Sequence, residues 1–277
     1  MTLAQLRGKV VLVDFWTYSC INCQRTLPHL ESWYRTYKDA GLQIIGVHTP
    51  ELAFEHNPGN VSQHAQALGV RYPIALDNDY ATWNSYQNLY WPAEYLIDAN
   101  GTVRHTKFGE GDYDITESLI RQLLTENNPG LTLPPATDVP DVTPTVRTTG
   151  ETYLRQRYAP LHASGQQPQS PAPTQYMFPA RIEPNTFALA GTWSAAAQSL
   201  AAGPGAELRL NCRAKKVHLV AGGHGTITVS VNGQPGSAVT VNGPPTLYTL
   251  AEQPQVQQMT VSLSAEPGVD AYSFTFD

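Results

Sequence analysis

The stretch VVLVDFW at residues 10–16, followed by CINC at residues 20–23, decides the fold of this chain. The run of apolar residues around Asp14 predicts a buried β-strand. Apolar residues then recur at helical spacing from Cys23 to Ala40, and Gly41 provides a stop signal. The cysteine pair therefore lies where a strand gives way to a helix.

Two cysteines three positions apart can close a small disulfide and reopen it as a thiolate and a leaving thiol. A helix N-terminus favours negative charge on Cys20, which makes it the better nucleophile. A structural zinc site would need a second pair of ligands. The remaining cysteine, Cys212, lies far along the chain in a strand pattern, and we expect it to be a buried, inert thiol.

Two further features accompany the pair. Asp14 interrupts the apolar strand, and a buried carboxyl is costly unless it is neutral or has a partner. We interpret it as a proton acceptor for Cys23, although an aspartate that reaches solvent at the strand end would give the same pattern. Trp91-Pro92 precedes a predicted strand. A cis Pro92 would bring the Trp91 backbone beside the disulfide, whereas a trans bond would make an ordinary turn.

Composition limits the function classes. The net charge of -6 and the lack of a Lys/Arg cluster argue against nucleic-acid binding. The sequence contains no apolar run of the length that spans a bilayer. No signal-peptide pattern precedes the first strand. We therefore expect either a cytosolic protein or a soluble piece of something larger.

The 277 residues are comfortable for two domains. Strand and helix signals alternate over residues 1–130, and proline is frequent over residues 131–175. Alternating β patterns separated by Asn-Gly, Gly-Gly and Pro-Gly turns fill residues 176–277. We predict an α/β domain, a Pro-rich connector and an all-β sandwich or jelly-roll domain of about eight short strands.

The motifs FWTYSCINC (15–23), HTPE (48–51) and YWPAEYLID (90–98) carry a family resemblance. Residues 1–128 resemble a TlpA-like thioredoxin domain. More specifically, they resemble the C-terminal extracytoplasmic part of DipZ-type membrane disulfide reductases, which are related to CcdA and DsbD. The β domain is similar to the tail of those proteins, which resembles a carbohydrate-binding module.

The resemblance implies a role for each matching position. Cys20 would be the attacking thiol, Cys23 the resolving thiol, Asp14 the buried acid and Pro92 the cis-proline. We expect the neighbouring side chains to contact substrate: Trp16, Trp91, Ile21 and Asn22.

The resemblance also implies a setting for the reaction. The protein would reduce disulfides of oxidised extracytoplasmic proteins, with electrons from a membrane CcdA-like domain and no cofactor beyond the Cys20–Cys23 disulfide. It would be the soluble, periplasmic or cell-wall-side part of a membrane protein. The sequence departs from the family at one position. Cytochrome-maturation thioredoxins often carry glutamate two residues before a proline in the first helix; that proline is Pro28 here, and the position of the glutamate is occupied by Thr26. A role in cytochrome c biogenesis therefore lacks one of its expected residues.

Two other functions compete with disulfide reduction. In a peroxiredoxin-like thiol peroxidase, Thr17 would sit three residues before the reactive cysteine, but Val13 occupies the expected proline position. In a cell-wall glycan-binding module, exposed rings of Trp193, Tyr248 and Tyr272 would stack on sugars. The alternative for these aromatic residues is burial in the β core.

Overall fold

In the computed structural model, which describes residues 2–277, the chain forms two compact units, Met1–Thr143 and Pro144–Asp277. None of the helices in the described range is long and apolar enough to cross a membrane. The first unit contains the strands β1 (Val10–Trp16), β2 (Leu42–His48), β3 (Ile74–Leu76), β4 (Ala93–Ile97) and β5 (Val103–Phe108) and the helices α1 (Ile21–Tyr37), α2 (Pro58–Ala67), α3 (Ala81–Ser85) and α4 (Tyr113–Asn127), with 3₁₀ helices at Leu3–Leu6, Lys38–Ala40 and Ala53–His56.

The five strands of the first unit form one mixed sheet in the order β3-β2-β1-β4-β5. The first three strands are parallel, and β4 and β5 run antiparallel to their neighbours. All seven residues of the central strand β1 are buried, as expected for a strand covered on both faces. The predicted thioredoxin-like α/β fold is confirmed.

The two faces of β1 serve different layers. Leu12 and Trp16 pack with Cys23 and Leu30 of α1. Phe15 lies on the opposite face, where its ring meets Trp83 edge-on at 5.8 Å. Because Asp14 alternates in phase with Leu12 and Trp16, the pleat directs its side chain towards the face that carries α1.

Position 46 on β2 must be small. A Cβ added to Gly46 would lie 2.8 Å from Nε1 of Trp16 and 3.0 Å from a ring carbon of Tyr72. The glycine therefore lets two large rings close over the strand directly beside Asp14, with which Gly46 is in register.

The second unit is an antiparallel β structure, as predicted. It contains the strands β6 (Thr152–Tyr153), β7 (Thr174–Tyr176), β8 (Thr186–Ala195), β9 (Leu200–Ala202), β10 (Ala206–Val231), β11 (Gln234–Ala265) and β12 (Val269–Phe276) and the helix α5 (Ala159–His162). The first half of β10 pairs with β8, whereas its second half pairs with β12. Since β9 joins β8 to β12, the sheet curls back on itself.

The expected set of about eight short strands is wrong in detail, because β10 and β11 are single long strands of 26 and 32 residues. Asn232-Gly233 forms the predicted turn, with positive φ at both residues. Gly222-Gly223 instead continues β10. A Cβ at Gly223 would lie 2.1 Å from the carbonyl oxygen of Gly268, so here glycine permits a close approach of backbone.

Residues 131–175, predicted as a connector, are divided between the two units. In the first unit, Thr137 donates its backbone N–H and its hydroxyl to the Glu117 carboxylate of α4. In the second unit, β6 pairs with β12, and Leu154 is fully buried in the core. Proline-rich composition thus does not leave this segment unstructured, because hydrogen bonds to Glu117, strand pairing with β12 and the burial of Leu154 hold it in place.

Trp193 is central to the core of the second unit. Its side chain is 2% exposed, and its indole N–H donates to the carbonyls of Ala190 and Glu207. Trp193→Ala should lower the free energy of unfolding of this unit by about 3–5 kcal/mol, since it leaves a cavity and removes two hydrogen bonds. The urea dependence of Cys212 alkylation measures this, because Cys212 is fully buried in the same core.

Met177→Ala is the matched control, because that side chain is 83% exposed. A Trp193→Ala protein whose Cys212 becomes reactive at the same urea concentration as in the control would contradict this placement of Trp193.

Candidate active site

The cysteine pair opens α1. Cys20 is the N-cap residue, and its Sγ accepts a hydrogen bond from the Cys23 backbone N–H at 3.3 Å. Cys20 is half-buried, whereas Cys23 is 1% exposed, and both are free thiols in the structure. A substrate can therefore reach Cys20, and Cys23 lies beneath it.

The surroundings of Cys23 disfavour its thiolate form, so this thiol needs a neighbouring base. Burial raises the pKa of Cys23 well above its ordinary value, and Cys20 and Asp14 raise it further. A buried thiol of this kind becomes a nucleophile only when a neighbouring group accepts its proton.

Asp14 is a buried neighbour of Cys23 with the chemistry of a proton acceptor. Its side chain is 1% exposed, and neither carboxylate oxygen has a hydrogen-bond partner within residues 2–277. Burial, followed by the charge of Glu94, raises the pKa of Asp14 well above its usual range. Asp14 does not escape to solvent at the strand end, which removes the alternative interpretation of this residue.

Pro92 and Trp91 form the neighbouring loop. The Trp91–Pro92 peptide bond is cis, the isomer that the family resemblance implies. The Trp91 indole N–H donates to the carbonyl of Thr49 at 3.0 Å, and its ring packs on Trp83. The ring of Trp91 is therefore fixed on one side and half-exposed on the other.

The residues expected to contact substrate fall into two groups. Ile21, Asn22 and Trp91 are all half-buried, so they remain candidates. Trp16 is fully buried in the core with Cys23 and Leu30, and its assignment to substrate binding is wrong. The motif places Trp16 near the cysteines in sequence, but the pleat of β1 turns its ring into the protein.

Sequence analysis missed a buried carboxylate that holds the loop before Cys20. Glu55 is fully buried and accepts hydrogen bonds from the hydroxyls of Thr17 and Ser19. It also accepts from the backbone N–H groups of Glu51 and Leu52. Glu55 lies more than 30 residues from the loop that it anchors, and the sequence carries no signal for this pairing.

An aromatic stack lies on the same loop. The ring of Tyr18 stacks on His64 at 4.0 Å and lies 5.7 Å from the ring of His48. The Tyr18 backbone N–H donates to Nε2 of His48. Burial lowers the pKa of His48 to about 4, so the imidazole is neutral and its Nε2 can accept this bond.

Arg25, the nearest cation to the pair in sequence, is occupied. Its guanidinium makes two hydrogen bonds to the Glu110 carboxylate, at 2.6 and 2.7 Å, and a third to Oδ1 of Asn22. The bidentate geometry neutralises the positive charge beside α1. Arg25 thus presents no unbalanced charge to the cysteine pair.

Of the three predicted glycan residues of the second unit, the structure excludes one, and the assignment of the half-buried Tyr248 and Tyr272 stays a prediction. Trp193 is buried, and its assignment to glycan binding is wrong, because a core ring cannot stack on a sugar. Tyr248 is half-buried against the core, and burial raises the pKa of Tyr272 to about 12. Cys212 is fully buried, and burial raises its pKa to about 12, which makes it a poor nucleophile.

Comparison with known proteins agrees with this geometry. Residues 1–106 match the AhpC/TSA family, and residues 149–277 match a thioredoxin-like C-terminal domain. Protein DipZ of Mycobacterium tuberculosis is 48% identical over 99% of the chain, and the chain spans 40% of the length of that relative. Thiol-disulfide oxidoreductase YkuV of Bacillus subtilis is 31% identical over 46% of the chain and 85% of its own length.

Among solved structures, a thiol-disulfide isomerase from Corynebacterium glutamicum is 26% identical, with a TM-score of 0.41. It covers 45% of this chain and 86% of its own.

The fold and the cysteine site define a thiol-disulfide oxidoreductase of the thioredoxin type, and the chain belongs to that family. Within it, the chain is a close homologue of the DipZ proteins, which match it through both units.

The difference between the three cysteines gives a direct test. Iodoacetamide at neutral pH should label the reduced, folded protein once, at Cys20, because Cys23 and Cys212 are buried and have raised pKa values. Peptide mass spectrometry after a short exposure identifies the labelled residue. Cys20→Ser should abolish rapid labelling, and Cys212→Ser should leave it unchanged. Rapid labelling at Cys23 would contradict the assignment of Cys20 as the attacking thiol.

Proposed function

We propose that this protein reduces disulfide bonds of extracytoplasmic proteins. The observation that carries the proposal is the increasing depth of three groups below the surface. Cys20 is half-exposed, Cys23 is buried beneath it, and Asp14 is buried with no hydrogen-bond partner among the described residues. The neutralised charge of Arg25 supports the reducing direction, since a thiolate that is not strongly stabilised is a better electron donor.

In the proposed reaction, the Cys20 thiolate attacks one sulfur of a substrate disulfide. A mixed disulfide forms, and the other substrate sulfur leaves as a thiolate that takes a proton from water. Asp14 then accepts the proton of Cys23, and the Cys23 thiolate attacks Sγ of Cys20. The Cys20–Cys23 disulfide forms, and the second substrate sulfur is released. Two electrons pass from the protein to the substrate, and no other cofactor takes part.

The oxidised pair must be reduced again before the next cycle. We propose that a membrane CcdA-like domain supplies these electrons and that both units lie on the periplasmic or cell-wall side. The homology to DipZ proteins supports this arrangement, because the chain spans less than half of their length. Ile21, Asn22, Trp91 and the cis-Pro92 loop would form the surface that contacts the oxidised protein.

The reduction potential of the Cys20–Cys23 pair tests the direction of electron flow. We expect a value near or below about -220 mV in a defined thiol buffer, which would make the protein a donor to outside disulfides. A value near about -120 mV would identify a disulfide donor and overturn the proposal. Cys23→Ser should accumulate a mixed disulfide with an oxidised test protein, because the resolving thiol is gone.

Hydrogen peroxide is the control that separates this proposal from a thiol peroxidase, which the match to the AhpC/TSA family would otherwise favour. Thr17 is fully buried and donates its hydroxyl to Glu55, so it cannot assist peroxide at Cys20. Peroxide should therefore be consumed far more slowly than a protein disulfide is reduced. Rapid, catalytic consumption of peroxide would favour the peroxidase.

For the second unit we propose binding to cell-wall carbohydrate, which would hold the redox unit near its substrates. A groove of about 580 Å³ on β10 and β11 supports this, because polar side chains line it, among them Arg209, Thr228, Ser230 and Asn232. Hydroxyl, amide and guanidinium groups are suited to sugar hydroxyls.

The whole protein should be retained on immobilised cell-wall polysaccharide, and Arg209→Ala should weaken retention several-fold because it removes the charged donor of the groove. Arg181→Ala is the matched control, because that guanidinium lies outside the groove and is 77% exposed. Absence of retention on every polysaccharide tested would remove this part of the proposal.

A further inference from the structure

Three charged side chains lie in one row across the sheet of the first unit. Asp14 on β1 is directly opposite Glu94 on β4, and Glu94 is directly opposite Lys107 on β5. Directly opposed residues of antiparallel strands project from the same face, with Cβ atoms roughly 4.5–5.5 Å apart. The row therefore leads from the strand beneath Cys23 to β5, which is the edge strand.

The two carboxyl groups are both deeply buried. Asp14 is 1% exposed and Glu94 is 3% exposed, and one oxygen of Glu94 lacks a hydrogen-bond partner among residues 2–277. Two carboxylates this close cannot both ionise cheaply in a buried site, so they tend to share a proton. Consistent with this, burial raises the pKa of Glu94 to about 7.

The groups that face Glu94 come from several elements. Asp14 lies on β1, Thr116 on α4 and Lys107 on β5. Cys23 on α1 neighbours Asp14, and the buried hydroxyl of Tyr72 responds to the charges of Asp14, Glu94 and Cys23. Burial raises the pKa of Tyr72 well above its ordinary value, so this phenol stays neutral. Lys107 is the cation of the set, and together with the Thr116 hydroxyl it opposes the effect of burial on the pKa of Glu94.

The row reaches solvent at its far end. The Lys107 ammonium contacts the Asp112 carboxylate at 2.5 Å, and the side chain of Asp112 is 61% exposed. On this side, one partly buried ion pair lies between Glu94 and solvent. The Cys23 end of the row has no comparable opening, because Cys23 and Asp14 are both buried.

We propose that Glu94 is a positioning residue that acts through Asp14, and that the carboxyl pair Asp14–Glu94, balanced by the Lys107 ammonium, carries the proton of Cys23 towards solvent at the edge of the sheet. This rests on the proposed function, in which Cys23 must lose a proton to resolve the mixed disulfide. The Cys23 S–H bond breaks, Asp14 takes the proton, and Glu94 receives it from Asp14 or through their shared site. Water at the edge of the sheet finally accepts it, and no electrons move along the row.

The experiment is a titration of selectively ¹³C-labelled carboxyl groups by NMR in the reduced, full-length protein. Glu94→Gln should lower the apparent titration midpoint of Asp14 by about one pH unit or more, because a neighbouring negative charge is removed. Glu117→Gln is the matched control. It is the same substitution at a buried glutamate of α4, but Glu117 bonds to Tyr37 and Thr137 and lies outside the row.

A second variant keeps the test valid if Glu94→Gln fails to fold. Lys107→Met should raise the titration midpoint of Glu94 above its wild-type value, since the facing cation is lost. An Asp14 midpoint that is unchanged in Glu94→Gln, or that moves equally in Glu117→Gln, would overturn the proposal. A titration midpoint of Glu94 that is unchanged in Lys107→Met would also overturn the proposal.

The kinetic counterpart is the pH dependence of mixed-disulfide resolution, followed by stopped-flow fluorescence with a small aromatic disulfide as the probe. The rise of the rate with pH should move to lower pH in Glu94→Gln by the same amount as the Asp14 midpoint. A purely structural role would lower the rate at all pH values without moving the profile, and would overturn the proposal. The NMR titration needs no substrate, so failure to reduce protein disulfides would refute the proposed function without affecting that result.

Discussion

The buried carboxyl of Asp14 is the constraint around which the first unit is arranged. A carboxyl without a hydrogen-bond partner in the centre of a sheet costs stability, and an apolar residue there would pack better. The surrounding sequence keeps the site closed: Gly46 admits the rings of Trp16 and Tyr72, and the helix that bears Cys23 lies above. In the proposed mechanism, the protein thus gives up packing energy at the place where the Cys23 thiol loses its proton.

The loop that presents Cys20 depends on a second buried acid, used in the opposite way. Glu55 is satisfied by two hydroxyls and two backbone N–H groups, so its carboxylate is stabilised and acts as a fixed anchor. Among the described residues Asp14 has no such partners, and in the proposed mechanism its carboxylate takes up the proton of Cys23. A buried carboxyl group thus fixes a loop at Glu55 and, in the proposed mechanism, accepts a proton at Asp14. The difference is the number of hydrogen bonds that each carboxyl accepts.

Sequence patterns predict the fold and the chemical class of the site. They do not predict which face of a strand a side chain occupies, or which residues of distant strands pair. Asp14 stood out because it interrupts an apolar strand. Glu94 did not, since its importance depends on the register between β1 and β4. Trp16 and Trp193 were assigned to surfaces because an aromatic ring near a motif gives no sign of the face it occupies. Gly222-Gly223 read as a turn because glycine serves tight turns and close backbone approaches equally well.

The neutral imidazole of His48 has a consequence for acidic surroundings. An unfolded histidine binds a proton below about pH 6.5, whereas the folded His48 resists protonation until about pH 4. Between these values the hydrogen bond from Tyr18 to His48 keeps its geometry, but the unfolded state gains protons that the folded state does not. The free energy of unfolding therefore falls as the medium acidifies, by about 3 kcal/mol in total from this one residue. Acid would weaken the protein well before it altered the arrangement of the thiols.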